Sequence, residues 1–180
     1  MSFRGGKKSN VHDSENGYNL YAPYYDKTLN FLDTFEQDEL LKMLMKTRGK
    51  KVLDAGCGTG RLVPILSKLG RNVTGIDISA KMIDIAKKKF PKQKFAVGNI
   101  EKMTFKDSSF NIVIASFVIV HLKMLPKFFA EVHRILKDGG VFILTNINQR
   151  KAPKLKIGQK DEVVIKSFYH MPKEVIKHLN

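Results

Sequence analysis

The stretch Lys51-Val52-Leu53-Asp54-Ala55-Gly56-Cys57-Gly58-Thr59-Gly60 constrains what this chain can fold into more than any other. A short apolar run ends in an aspartate and then in three glycines at alternate positions. Beyond it, Arg61-Leu62-Val63-Pro64-Ile65-Leu66-Ser67-Lys68-Leu69 spaces its apolar residues as a helix does, so the glycines lie where a strand feeds a helix. Glycine is required at such a bend because a side chain would collide with a closely approaching ligand or forbid the backbone angles. α/β folds place ligands there, outside the carboxyl ends of the strands.

Spacing separates two ligand classes. A dinucleotide fingerprint, G-x-G-x-x-G, keeps its last glycine in the first helical turn beneath a pyrophosphate. Here the third glycine comes one residue early, at Gly60, and Arg61 holds the expected glycine position, which disfavours a nicotinamide-dependent oxidoreductase. The stretch Val52 to Gly60 closely resembles the first motif of class I S-adenosylmethionine (SAM) dependent methyltransferases. The later run Leu136-Lys137-Asp138-Gly139-Gly140-Val141-Phe142-Ile143-Leu144 is similar to another motif of that family, with Asp138 in place of proline.

The strands and helices follow in the order such a family requires. Asn72-Val73-Thr74-Gly75-Ile76-Asp77 reads as a second strand ending in a carboxylate, about 20 residues after the glycines, where an acid can accept from both ribose hydroxyls. Ser79 reads as the N-cap of a helix from Ala80 to Lys89, which Pro91 ends. Lys94 to Gly98 is the third strand and Phe110 to Ser116 the fourth, apolar throughout as a central parallel strand should be. A helix from Leu125 to Leu136 and a strand from Val141 to Asn146 complete the pattern. The expected fold class is therefore α/β: a doubly wound, Rossmann-like parallel sheet in a three-layer sandwich, with strand order 3-2-1-4-5. Only 34 of the 180 residues follow Asn146, too few for the family's closing antiparallel hairpin plus its strand connections, so that hairpin is expected to be missing and the chain to be a piece of a longer one. A trimmed variant with an exposed sheet edge is the alternative.

Three regions are expected: a flexible arm over 1–16, a helical cap over 17–50 and the SAM-binding core over 51–180. The cap contains four of the five tyrosines, in Tyr18-Asn19-Leu20-Tyr21-Ala22-Pro23-Tyr24-Tyr25-Asp26, followed by an apolar-periodic helix from Thr28 to about Thr47, with a break near Gln37 as one option. These tyrosines either pack that helix onto the sheet or close over a ligand. Tyr25-Asp26 looks like the Tyr-Asp pair that many small-molecule members of the family carry in such a cap.

The resemblance implies SAM as cofactor. From the first motif it draws Asp54, Gly56, Cys57, Gly58 and Gly60, and from the second strand end Asp77, Ile78 and Met82. Asn99 and Ile100 fall where the adenine is held, Asn99 replacing the usual acid with an amide oxygen that can still accept from the adenine amino group. Ser116, Phe117 and the cap's Tyr21 complete the cofactor set. His121 and Tyr25 are the candidate catalytic residues, His121 because imidazole titrates near neutrality at the end of the segment that lines the transfer site; a packing role for that histidine is the competing reading. The family's acid at the start of the fourth strand is replaced by Asn111, with Asp107 nearby.

Composition narrows the acceptor. The formal charge of +15 could draw the chain to RNA, yet 26 of the 32 basic residues are scattered lysines, whereas bidentate phosphate recognition favours arginine. An Asn/Asp-Pro-Pro-Tyr/Phe loop of amino-methylating nucleic-acid enzymes is absent from the sequence, as is a cysteine placed for covalent base methylation. A small-molecule methyl acceptor is expected, with an RNA methyltransferase and a SAM-binding, non-catalytic partner subunit as alternatives. The lone Cys57 rules out a disulfide within the chain and a multi-cysteine metal site, and no metal is expected. Neither a signal-like apolar N-terminus nor a membrane-length apolar run is present, so a cytoplasmic location is expected.

Overall fold

The computed structural model describes residues 11–147, 150–158 and 161–179. Five parallel strands form the main sheet: β2 (Lys51–Ala55), β3 (Asn72–Asp77), β4 (Lys94–Val97), β5 (Phe110–Ser116) and β6 (Leu136–Thr145), in the order β4-β3-β2-β5-β6. Numbered from β2, that is the expected order 3-2-1-4-5. The strand order reverses between β2 and β5, which opens a crevice at their carboxyl ends.

Alternation along the central strands builds a core on each face. Leu53 and Ala55 of β2, with Val113 and Ala115 of β5, pack toward α5 (Leu125–Ile135), whose Leu125, Phe128, Phe129, Val132 and Ile135 recur at helical spacing. Val52, Ile112 and Ile114 face the other way, onto Leu40 and Leu44 of α2 (Leu29–Lys46) and Leu66 of α3 (Val63–Lys68). Each large side chain fully removed from water here contributes about 1.5–3 kcal/mol relative to exposure. The helix α4 (Ala80–Lys89) completes the layers, with Met82, Ile83 and Ala86 buried.

Among the described residues the first element, β1 (Val11–His12), falls inside the expected arm, whose residues 1–10 lie outside the described ones, and leads into α1 (Ser14–Tyr25), which carries the tyrosines. The α2 helix runs unbroken past Gln37, and Arg71 holds its end by donating to the carbonyls of Leu44 and Thr47. The expected main sheet without a closing hairpin is the one described; an antiparallel hairpin, β7 (Lys154–Ile157) and β8 (Asp161–Ile165), belongs to a second sheet. There β8 pairs in parallel with β1, and this second sheet packs on α1 so tightly that a Cβ on Gly17 would sit 2.7 Å from Ile165. A short helix, α6 (Pro172–Lys177), follows. No helix among the described residues is long and apolar enough to cross a membrane.

Asn111, the departure at the start of β5, lies at the far end of the sheet from the crevice. Its side-chain oxygen accepts from the Lys51 N–H at 3.2 Å, and its side chain fills the space a Cβ on Gly49 would need. Asp107 pairs with Arg134 at 2.7 Å and so closes the loop before β5 onto α5. Both are structural positions.

The cap is fastened to the glycine turn by a buried ion pair. Arg61 donates to Glu36 and, at 2.8 Å, to Asp33, both on α2; Glu36, 5% exposed, also accepts from the hydroxyls of Ser116 and Thr145 at the ends of β5 and β6. Removing one member of such a pair strands a charge in a dry site. Glu36→Ala is expected to destabilise the protein by about 3 kcal/mol in urea unfolding, and the more exposed Asp33→Ala by about 1 kcal/mol or less.

Candidate active site

The backbone of the glycine turn is tied to the neighbouring strand. Gly56 and Cys57 donate to the Ile76 carbonyl at 2.8 and 3.0 Å, and Gly58 donates to Asp77 Oδ2 at 2.9 Å. The other oxygen of Asp77 accepts from the Ser79 N–H at 2.9 Å, while the Ser79 hydroxyl accepts from Met82 N–H and caps α4. Capping and presentation of Asp77 thus coexist. Burial raises the Asp77 pKa, against the lowering effect of the N–H groups of Ser79, Gly58 and Ile78. Gly56 has φ +80°, and a Cβ there would meet Val118 at 2.5 Å, so this bend excludes any side chain.

Two adjoining cavities open over this turn. The larger, of about 290 Å³, is lined by Gly56, Gly58, Asp77, Met82, Ser116, Phe117 and His121 from the core and by Tyr18, Tyr21 and Tyr25 from α1. A smaller one, of about 100 Å³, adds Ile78, Asn99 and Ile100, and shares Tyr18, Gly56, Asp77 and His121 with the first. Asp54, Cys57 and Gly60 are not among the wall residues. Cys57 packs inward against Gly75, and Gly60 approaches the ring of Phe90. Asp54 is buried beneath the turn, and its Oδ2 has no hydrogen-bond partner among the described residues.

That orphaned carboxylate is costly. Burial pushes its pKa up to about 7, against the pull of Arg61. Two acids are thus desolvated at the glycine turn, Asp77 at the cavity wall and Asp54 beneath it. An adenosyl group carrying methionine fits the acceptor at this wall: a diol can donate to Asp77, which lines both cavities, while Asp54 lies beneath the turn.

The cap closes the crevice from above. Asp26 accepts from the Thr59 hydroxyl at 2.5 Å and pairs with Lys89 at 2.7 Å, and the Tyr25 ring would stand 3.5 Å from a Cβ on Gly58. The Tyr25-Asp26 pair therefore sits on the glycine turn. Asn99 lines the smaller cavity, but its side-chain oxygen accepts from the Glu101 N–H at 2.8 Å and so closes a turn in this structure. Phe117 takes φ +56°, and the Arg61 guanidinium lies 5.4 Å from its ring centre.

His121 is held from both sides. Its Nδ1 lies 3.3 Å from the Lys166 carbonyl, which can only accept, so Nδ1 carries the proton; Nε2 then accepts from the Tyr18 hydroxyl at 2.7 Å. Burial lowers its pKa, against the raising effect of the Lys166 carbonyl. Sequence reasoning missed Tyr18 as a partner, although Tyr18, Tyr21 and Tyr25 recur at helical spacing. It also missed Leu155 and Pro153, which the hairpin brings to the wall of the larger cavity; no local pattern marks them.

A family profile described as a methyltransferase domain matches residues 53–144. The demethylmenaquinone methyltransferase of Chlorobaculum tepidum is 40% identical over 118 residues, covering 64% of this chain and 49% of that protein. The chain spans about half the length of the curated relatives it matches. Among solved structures, the PH0226 protein of Pyrococcus horikoshii superposes with a TM-score of 0.66 at 30% identity, covering 78% of this chain and 76% of that one. A TehB-like SAM-dependent methyltransferase of Corynebacterium glutamicum gives 0.58 at 29% identity, covering 69% and 71%.

The pKa of Asp54 has a consequence for stability. It is raised in the folded state, to about 7, from about 3.9 in an unfolded chain, so the native state binds the extra proton between those values and loses stability as pH rises through the window. Urea unfolding of the ligand-free protein should show that decline. Asp54→Asn should abolish most of it, leaving the variant more stable than the parent by on the order of 2 kcal/mol above about pH 7.

Proposed function

The chain belongs to the class I SAM-dependent methyltransferases, and from that premise we propose that it transfers a methyl group from SAM to a nucleophilic atom of a small-molecule acceptor by in-line displacement. The observation that carries the reading is Asp77, held by two backbone N–H groups with lone pairs left over, at the wall of both cavities beside the glycine turn. Bound SAM supplies a methyl group on a positively charged sulfur, already activated toward nucleophiles.

The protein's own residues then bind, orient and exclude water. Asp77 accepts from the ribose hydroxyls, Ile78 and Ile100 flank the adenine, and Asn99 meets its edge through a rearranged turn. Asp54 underlies the turn, and Gly56 and Gly58 let the chain approach closely. Tyr21 and Tyr25 roof the site, Met82 fills its side, and Ser116 and Phe117 border the methyl end. Holding nucleophile and methyl carbon in line inside a closed site supplies a large part of the barrier reduction without a strong base.

A small acceptor is favoured over nucleic acid by the chamber itself. The described residues lining the larger cavity include no lysine and no arginine, so nothing there meets a phosphate backbone. The similarity to a demethylmenaquinone methyltransferase supports the same choice.

Calorimetric titration tests the reading. SAM and its demethylated product are expected to bind the parent protein, and Asp77→Ala to weaken both by about 1.5–3 kcal/mol, or about 10- to 150-fold, as for hydrogen bonds to a charged group. Equal affinity in the two proteins, or no binding to the parent, would reject it.

A further inference from the structure

Tyr18 and His121 meet where the two cavities join, and no role in cofactor binding accounts for either. Their rings stand edge-on with centres 5.1 Å apart, and the hydroxyl reaches Nε2 at 2.7 Å. The pair spans two separate parts of the fold, α1 and the segment after β5, and the Lys166 carbonyl beyond β8 fixes the imidazole from behind. The surrounding chamber is selective in its chemistry. Leu32, Val118, Val120, Ile147, Pro153 and Leu155 give it apolar walls, and Asp77 is the one charged side chain among the described residues lining it. An anionic acceptor would find no cation there. A cationic acceptor would compete with the ribose for Asp77.

We propose that Tyr18 and His121 are the proton-accepting pair of the transfer, Tyr18 meeting the acceptor and His121 taking the proton, and that the acceptor is an uncharged hydroxyl compound with an apolar body, of the phenol or enol class. This rests on the methyltransferase reading above. As the acceptor oxygen bonds to the methyl carbon, the sulfur keeps the electron pair of the broken carbon–sulfur bond. The hydroxyl proton passes to Tyr18 Oη while the proton of Tyr18 passes to His121 Nε2. One positive charge leaves sulfur and one arises on imidazole, so charge is conserved, and the new cation has the Lys166 carbonyl on Nδ1–H.

Geometry already sets the starting state. With Nδ1–H turned to a carbonyl, Nε2 is the free base, and burial keeps the ring neutral at physiological pH. The groups that face the ring are Tyr18 and, behind it, Tyr21 and Tyr25 from α1, Asp77 from the end of β3, and Glu101 across the smaller cavity. Lys166 contributes its carbonyl only, its ammonium lying 5.6 Å from the ring centre of Phe168. Burial holds the Tyr18 hydroxyl above its ordinary pKa, so it relays a proton without resting as phenolate.

The test uses the full chain, Tyr18→Phe and His121→Gln, with 2-naphthol as the neutral hydroxyl probe and naphthoate and naphthylmethylamine as charged controls. Unchanged SAM affinity, within about twofold, certifies folding of each variant. In the ligand-free protein, NMR titration of the imidazole should show a ring that Tyr18→Phe shifts to a higher pKa, because the bond that stabilises the neutral ring is gone. In the presence of the demethylated cofactor, 2-naphthol should bind at least about tenfold more tightly than either control. Methyl transfer to 2-naphthol should fall about 10²- to 10³-fold in kcat in both variants, the usual range for a lost acid–base group. An unmoved His121 titration, charged controls that bind as well as 2-naphthol, absence of transfer to 2-naphthol by the parent, or variants that keep kcat within about threefold would overturn the proposal while leaving SAM binding intact. Failure of the parent to bind SAM would instead remove the reading beneath it.

Discussion

Two backbone N–H groups converge on the carboxylate of Asp77, and the geometry of the crevice depends on that convergence. Gly58 donates from the glycine turn and Ser79 from the start of α4, so one side chain fixes the position of both segments relative to the sheet. A charged acceptor makes such bonds stronger than neutral ones, and low local dielectric strengthens them further. The glycines supply the conformational freedom to reach this arrangement, but freedom alone specifies nothing. Asp77 selects one bend from the many that Gly56, Gly58 and Gly60 permit.

The crevice is assembled at a cost. Asp54 is buried with an oxygen unbonded, Asp77 is desolvated, and Phe117 adopts a left-handed backbone conformation that non-glycine residues rarely occupy. Such features are tolerated where the surrounding structure over-determines them. Here the α2 helix does so, through the Arg61–Glu36 pair and the Ser116 hydroxyl that bonds to it, with Arg61 also stacked over Phe117. Arg61, which stands where a dinucleotide fold would need glycine, is thus the anchor between cap and core. Its contacts tie the α2 helix to the glycine turn and to the end of β5.

The departures from family pattern have distinct physical explanations. Asn111 is remote from the crevice and serves a backbone donor of β2, so the loss of an acid there costs the site nothing. Asn99 stays at the wall of the smaller cavity, where its side chain closes a turn on Glu101. The hairpin β7–β8 leaves the edge of β6 and pairs with β1, bringing Leu155 to the chamber and the Lys166 carbonyl to His121. The last described parts of the sequence thereby join its first described ones beside the crevice.

The main sheet was legible in the amino-acid order because its determinants are local: apolar runs of strand length, helical spacing between them, and glycines at one bend. β3, β5 and α4 coincide with the segments read from sequence, and Gly56, Asp77, Ser116 and His121 line one cavity, with Asp54 buried beneath the turn. What sequence could not supply was pairing over distance. Nothing near Val11 announces a strand partner at Val164, nothing near Glu36 announces Arg61, and the tyrosine spacing could not distinguish a helix packed on the sheet from one facing a ligand. Periodicity states which face of an element is apolar, but not which other element will cover it; that choice is made by the three-dimensional closure of the chain, where burial and unpaired polar groups are settled together.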